Sequence, residues 1–318
     1  MPETSEDPQP NGGHRPAGAR RRWTRPLVGL TVVVVVTLVL TGTVPRVGAP
    51  PPSADGQAAG RDRRVLVVRG GLGTAGFLQG RSDQDLSDLF NERMGGLARF
   101  GALLAGEGYE VTQLEEAPGG AKIDLGVIDL DRYGLVVLGS NNATYGAADA
   151  ARLAAYVRSG GSVLAFADAN YGKDWRAAAD SDQQLLERFG LTVGQDNGKP
   201  QALTTADFAA PDHPVLRGVD EVDGYGATAF TLTRGAPEAK ATILARPNTP
   251  VRENTGDGSQ PGPDRAATAD DGAVVAVTLG QGRVLATFDR DTFFGTSLAQ
   301  AGNRTFTLNA VRWLTTGA

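Results

Sequence analysis

The chain has 318 residues, with 31 Lys and Arg against 36 Asp and Glu, a net charge of −5 and no cysteine. Without cysteine there can be no disulfide, thiolate metal site or thiol nucleophile, and with only His14 and His213 imidazole chemistry is limited as well. The basic residues are interleaved with acidic ones under a negative net charge, so nucleic acid is not expected as a partner.

Residues 1–26 are polar, rich in Pro, Gly and Arg, and lack apolar periodicity, which predicts a disordered cytoplasmic tail. Leu27 to Val44 is an apolar run preceded by Arg20, Arg21, Arg22 and Arg25. At the helical rise it spans about 27 Å, close to the hydrocarbon thickness of a bilayer. This predicts one transmembrane helix, and the arginine cluster orients it with the N-terminus in the cytoplasm and the C-terminal bulk outside. A cleaved signal peptide is the alternative, with Val47, Gly48 and Ala49 as small residues. Against it, the run exceeds the usual apolar core of roughly 7 to 15 residues, and Pro50 directly follows. Arg20 to Arg25 also matches a twin-arginine export signal, though loosely. Residues 45–62, with Pro50 to Pro52, predict an extended linker, which leaves 63–318 for a folded domain.

From Arg64 short apolar runs alternate with helical periods, the pattern of a mostly parallel sheet covered by helices on both faces, a doubly wound α/β fold. Arg64 to Val68 predicts a strand. Leu97, Phe100, Gly101 and Leu104 predict a helix with one buried face, and Tyr109 to Leu114 a second strand. Leu135 to Gly139 predicts a third strand, Ala150, Leu153, Ala154 and Val157 a helix stopped by Gly160-Gly161, and Ser162 to Ala167 a fourth strand. A further helix around Gln183 to Phe189, ending at Gly190, follows. The remainder is β-rich, near Ala227 to Leu232, Thr242 to Ala245, Ala273 to Leu279 and Arg283 to Phe288, the last two forming a hairpin through Gly280-Gln281-Gly282. Residues 247–272, crowded with Pro, Gly, Asp and Asn, predict a mobile loop. Thr305 to Leu314 predicts a closing helix on the face of Phe306, Ala310, Val311 and Leu314.

Tyr133 to Gly139, Leu153 to Ala165 with its Gly-Gly stop, Asp212 to Gly218 and Gly282 to Ala286, taken in order, resemble the class I glutamine amidotransferase-like superfamily. Within it the chain is most similar to non-amidotransferase branches: ThuA-like domains, auxiliary proteins of gliding-motility ABC transporters and membrane-anchored domains of unknown function. The resemblance covers roughly residues 63 to 316 and implies a flavodoxin-like, amidotransferase-like fold. The catalytic branch carries a Cys nucleophile on a strand-end elbow and a His and Glu after a later strand. Here the elbow region reads Ala167-Asp168-Ala169-Asn170-Tyr171, and Asp289-Arg290-Asp291 stands where the His and Glu would be. The resemblance therefore implies the fold without the amidotransferase chemistry, and no catalytic residue is assigned.

In open α/β sheets the ligand crevice lies at the carboxyl ends of the parallel strands. Asp168, Asn170, Asp289 and Asp291, with Asn141 and Asn142, follow predicted strands and are the candidate ligand-binding residues, suited to sugar hydroxyls or a hard cation. His213, between Pro211 and Pro214, is a further candidate at the crevice border. Asp and Asn also terminate strands and cap helices in any such fold, and for His213 a structural turn fixed by Pro211 and Pro214 is the favoured reading. Trp175, Tyr171 and Tyr225 would suit stacking on a sugar ring or packing over a core edge. Gly71-Leu-Gly-Thr-Ala-Gly76 matches a dinucleotide fingerprint, but Gln79 to Asp83 interrupts the helix that should follow and Glu115 and Glu116 stand beyond the usual spacing of about 20 residues, so an ordinary loop is expected. No cofactor is expected. The resulting expectation is a single-pass membrane protein with a catalytically silent exterior domain that binds a partner or small polar ligand. A ThuA-like carbohydrate-active or hydrolytic enzyme using the crevice aspartates, and an accessory subunit of a transporter, are the alternatives.

Overall fold

The computed structural model describes residues 60–68, 97–114, 124–138, 145–167, 183–233, 238–254, 261–295, 297–300 and 302–317, all in one compact unit, Val44–Ala318. Leu27–Val44 and Gly71–Gly76 lie outside the described residues. Among the described residues no helix is long and apolar enough to cross a membrane.

The central sheet has seven strands in the order β2-β1-β3-β4-β14-β13-β9. β1 (Arg64–Val68), β2 (Glu110–Leu114), β3 (Leu135–Leu138) and β4 (Ser162–Phe166) fall within a residue of the sequence expectation. They pair in parallel: β1 with β2 and β3, and β3 with β4. Strands buried on both faces need apolar residues at every position, which is why these runs are continuous instead of alternating. Parity still divides them. Val65 and Val67 of β1 pack into one core with Leu135, Val137, Leu164 and Phe166, while Leu66 and Val68 join Val136, Leu138 and Val163 in the other.

Helices cover both faces. α1 (Ala98–Gly106) and α3 (Asn303–Thr316) contribute Phe100, Leu104, Phe306, Ala310 and Val311 to the first core. α2 (Ala147–Arg158) contributes Ala150, Leu153, Ala154 and Val157 to the second, the face its sequence predicts. The Gly-Gly stop after α2 has a steric cause. Gly160 takes φ +100°, and a Cβ at Gly161 would sit 2.2 Å from Cζ of Tyr156. The space is taken because the Tyr156 hydroxyl reaches back to donate to the carbonyl of Tyr133 at 3.1 Å and accepts from the N–H of Ser162 at 3.3 Å.

Beyond β4 the chain builds small antiparallel sheets before returning. β5 (Leu191–Val193) pairs with β8 (Phe230–Leu232), which pairs with β12 (Asp271–Gly272). β6 (Gln201–Thr204) pairs with β7 (Glu221–Gly224), and β10 (Val251–Arg252) with β11 (Asp264–Arg265). β9 (Ala239–Ala245), β13 (Val274–Leu279) and β14 (Gly282–Thr287) complete the central sheet. β13 and β14 form the expected hairpin, with Leu279 opposite Gly282. β14 then lies parallel to β4, so the chain re-enters the parallel part of the sheet.

The expectation of a mobile loop over 247–272 is corrected. Residues 255–260 lie outside the described set, but the flanks are held by two forked ion pairs. Arg252 Nε and Nη2 lie 2.8 and 3.3 Å from the Asp264 carboxylate oxygens. Arg265 Nη1 and Nη2 lie 2.6 and 2.8 Å from those of Asp271, a residue fully buried. Pro, Gly and Asp content signals the lack of a regular element, not the lack of order. Arg61–Arg63 form a 3-10 turn before β1, and Arg61 Nε donates to the carbonyl of Tyr133 at 3.1 Å.

Candidate functional site

β1 has β2 on one side and β3 on the other, so the sheet's switch point lies between β1 and β3, and the parallel strands put their carboxyl ends on one edge. Asp168, Asn170, Asn141 and Asn142, which follow β4 and β3, lie outside the described residues, as do Tyr171 and Trp175. The described part of this edge is the segment after β14. Because β14 runs parallel to β4, with Thr287 opposite Phe166, Asp289 stands just past a carboxyl end as its candidacy requires.

Its environment shows what the carboxylate does. Asp289 is 1% exposed. Its Oδ2 accepts from the backbone N–H groups of Tyr225 and Gly226, the latter at 2.7 Å, and its Oδ1 accepts from the N–H of Asp291 at 3.0 Å. The next donor along the loop, the N–H of Ala227, goes to Oδ1 of Asp196 at 2.9 Å, and the same oxygen accepts from Gly198 at 2.8 Å. Two buried carboxylates thus take up three consecutive N–H groups of the loop that follows β7. The approach demands glycine. A Cβ at Gly224 would lie 2.6 Å from Asp289 Oδ2, and one at Gly226 would lie 2.8 Å from Asp196 Oδ2. Backbone donors buried without acceptors would cost about 1–3 kcal/mol each, so the two carboxylates fix the loop.

Asp291 is drawn beside Asp289 by this Asx-type turn, and the 3-10 turn Asp291–Phe293 that follows is anchored from below. Phe293 stacks on Phe166 with centroids 4.3 Å apart and meets Phe100 edge-on at 6.0 Å. Thr292 Oγ1 donates to the Asp223 carbonyl at 2.8 Å. Asn303, at the start of α3, donates to the same carbonyl at 3.1 Å and accepts the Asp223 N–H at 2.8 Å. Asp289 and Asp291 are therefore together at the edge, inside a mesh joining β7, β14 and α3. Among the described residues no group of three or more His, Asp or Glu is placed to hold a metal ion.

His213 is not at this edge. Its Nδ1 accepts the N–H of Val215 at 3.3 Å, capping the 3-10 turn Pro214–Leu216, and its ring meets Trp313 at 5.0 Å. Trp313 sits near the C-terminus of α3, beneath the guanidinium of Arg283 at the start of β14. The length of β14, roughly 20 Å at the strand rise, separates that end from Asp289. Burial lowers the imidazole's pKa from its ordinary value. This is a turn-capping histidine at the amino ends of the strands, away from the carboxyl edge.

Sequence reasoning missed Asp196 and the Gly224–Ala227 loop. The available signal was the Gly-Tyr-Gly spacing at a strand end, which marks close backbone approach. Its acceptors lie 64 and 31 residues away in sequence.

Compared with solved structures, the chain is similar to a ThuA-like protein from Parabacteroides merdae ATCC 43184, at 17% identity over 80% of this chain and 90% of that one, with a TM-score of 0.44. It is likewise similar to a ThuA-like protein from Bacteroides uniformis ATCC 8492, at 14% identity over 83% and 95%, with a TM-score of 0.45. The N-terminal domain of mmIFT52 matches at 13% identity over 80% and 98%, with a TM-score of 0.49. No curated protein matches the chain in sequence. Residues 90–311, more than half of the chain, match the model of the family described as "Domain of unknown function (DUF4350)", and the chain belongs to that family.

Proposed function

We propose that this chain is a catalytically silent, amidotransferase-like protein, held to the membrane by Leu27–Val44, whose domain faces the exterior and binds a partner or small polar ligand. The observation that carries the silent reading is the use made of Asp289. A general acid or base needs an oxygen facing the reacting atom, whereas both oxygens of Asp289 face backbone donors of its own fold. The chemistry of the resembling family points the same way, since its amide hydrolysis runs through a thioester and the sequence has no cysteine to form one. The membrane placement is supported by the apolar run and the arginines before it.

Two measurements test this reading. The full-length chain, purified in neutral detergent, is incubated with glutamine and with a panel of aryl glycosides, and glutamate and phenolate release are followed. No turnover above the buffer rate is expected. Turnover that disappears in Asp289→Asn while the melting temperature stays unchanged would refute the silent reading. For placement, protease added to intact cells should destroy an epitope after residue 60 and spare one at residue 5. Protection of the C-terminal epitope would overturn the topology.

A further inference from the structure

At the amino ends of the strands, across the sheet from Asp289, lies a groove of about 550 Å³ lined by Arg63, Arg217 and Arg312 with Glu107, Tyr109 and Asn309 among its walls. Three guanidinium groups face one carboxylate there, in a chain whose net charge is negative. Two of the arginines are held in place. Arg63 donates to the Glu107 carbonyl at 3.1 Å and lies 4.9 Å over the Tyr109 ring, which is itself fixed by a 3.1 Å hydroxyl contact with Thr315. Arg312 Nη2 donates to Glu107 Oε2 at 2.9 Å. The third, Arg217, is exposed and makes no ion pair among the described residues. Its backbone is pinned, because Asn309 donates to its carbonyl at 2.7 Å.

Each guanidinium carries five donor hydrogens in a planar fork, and the contacts above use only a few of them. Glu107 offsets only one of the three guanidinium charges around this concavity, and forked donors match a tetrahedral oxyanion better than a lysine point charge does. We infer that this groove binds a phosphate-type oxyanion, either free phosphate or the phosphodiester of a lipid headgroup. The described chain enters the domain at this end, through Arg61–Arg63, and the headgroup source rests on the membrane placement proposed above.

The full-length chain in neutral detergent is titrated with inorganic phosphate against chloride at matched ionic strength, binding being followed by calorimetry. Arg217→Glu is the test variant, because its side chain holds no other part of the fold. Arg188→Glu, the same charge change at an exposed position outside the groove, is the control. Saturable binding weakened at least tenfold in Arg217→Glu and retained in Arg188→Glu supports a free-oxyanion site. In the second arm, the chain in nanodiscs of phosphatidylglycerol or phosphatidylcholine is compared by hydrogen exchange over residues 215–217 and 309–316. Slowing in phosphatidylglycerol alone, abolished by Arg217→Glu, supports the headgroup source. Equal loss of phosphate binding in both variants shows diffuse charge attraction and overturns the site, as does failure in both arms.

Discussion

The buried carboxylate of Asp271 carries the most direct test of how the second half of the chain is ordered. Oδ1 accepts from Thr231 Oγ1 at 2.6 Å and Arg265 Nη2 at 2.8 Å. Oδ2 accepts from Arg265 Nη1 at 2.6 Å and from the N–H and hydroxyl of Thr268 at 2.7 and 2.8 Å. Asp271→Asn keeps the volume but removes the charge and turns one acceptor into a donor. Whichever way the amide points, its NH₂ meets an arginine N–H, since the two nitrogens of the fork address different oxygens. Breaking a buried pair in this way costs about 3–5 kcal/mol. Arg265 is partly exposed and keeps a 3.4 Å contact with Glu253, so it regains some hydration and the lower end applies. For a domain of this size about 3 kcal/mol corresponds to a fall in Tm of roughly 6–12 °C, read by circular dichroism melts of the full-length chain at pH 7. The pH dependence has a defined sign. Burial alone would raise the carboxyl pKa, but the Arg265 fork and the Thr231 and Thr268 donors hold it well below the usual carboxylate range. A depressed pKa contributes stability that is complete above the unfolded value of about 3.9 and is lost as pH falls below it. The wild-type advantage over Asp271→Asn should therefore be constant from pH 7 to about 5 and shrink below pH 4. A loss under about 1 kcal/mol, or an advantage that grows as pH falls, would refute the argument.

Four further outcomes follow from the packing. Asp289→Asn places an amide NH₂ against backbone donors at one of its two oxygen positions and should cost about 2 kcal/mol, seen as a lower denaturant midpoint with no change in groove phosphate binding. Tyr156→Phe removes the hydroxyl's bonds to the Ser162 N–H and the Tyr133 carbonyl, which keep the Gly134 carbonyl and Arg61 Nε as partners, and should cost about 1 kcal/mol by urea unfolding. Burial pushes that hydroxyl's pKa upward, so the loss should not vary between pH 6 and 9. Gly161→Ala drives a methyl into the Tyr156 ring, costing about 1–3 kcal/mol, and the penalty should shrink in a Tyr156→Ala background, a coupling a double-mutant cycle would measure. Phe293→Ala empties the space against Phe166 and Phe100 and should cost about 3–5 kcal/mol in thermal melts.

The central sheet was legible because burial on both faces forces long apolar runs, and four parallel strands with their intervening helices read directly from such runs. The helix stops were legible too, although the reason for Gly161 was not, since Tyr156 fills its Cβ position only in three dimensions. The short strands β10, β11 and β12 left no periodic trace. Two residues cannot show a period, and what orders them is charge pairing, Arg252 with Asp264 and Arg265 with Asp271. A sequence rich in Pro, Gly and Asp reads as loop whether or not its charges find partners. At the site, position was legible and role was not. Asp289 stands past a strand end, as the apolar run before it implied, but its lone pairs are directed by a loop 64 residues earlier.

The two ends of the sheet treat charge in opposite ways. At the carboxyl end Asp289 is buried, and both its oxygens meet the fold's own N–H groups, so altering it should change stability first. At the amino end the guanidiniums are exposed, and one of them, Arg217, supports nothing else in the domain. Carboxylates bonded to the fold's own N–H groups contribute to packing, while the exposed arginines repel one another and are offset within the groove only in part, by Glu107. The difference can be measured within one molecule. Asp289→Asn should lower the unfolding midpoint and leave phosphate binding intact, and Arg217→Glu should do the reverse. If the two variants instead behave alike, the division between a structural carboxyl end and a binding amino end fails, because neither charge would then be tied to its own end of the sheet.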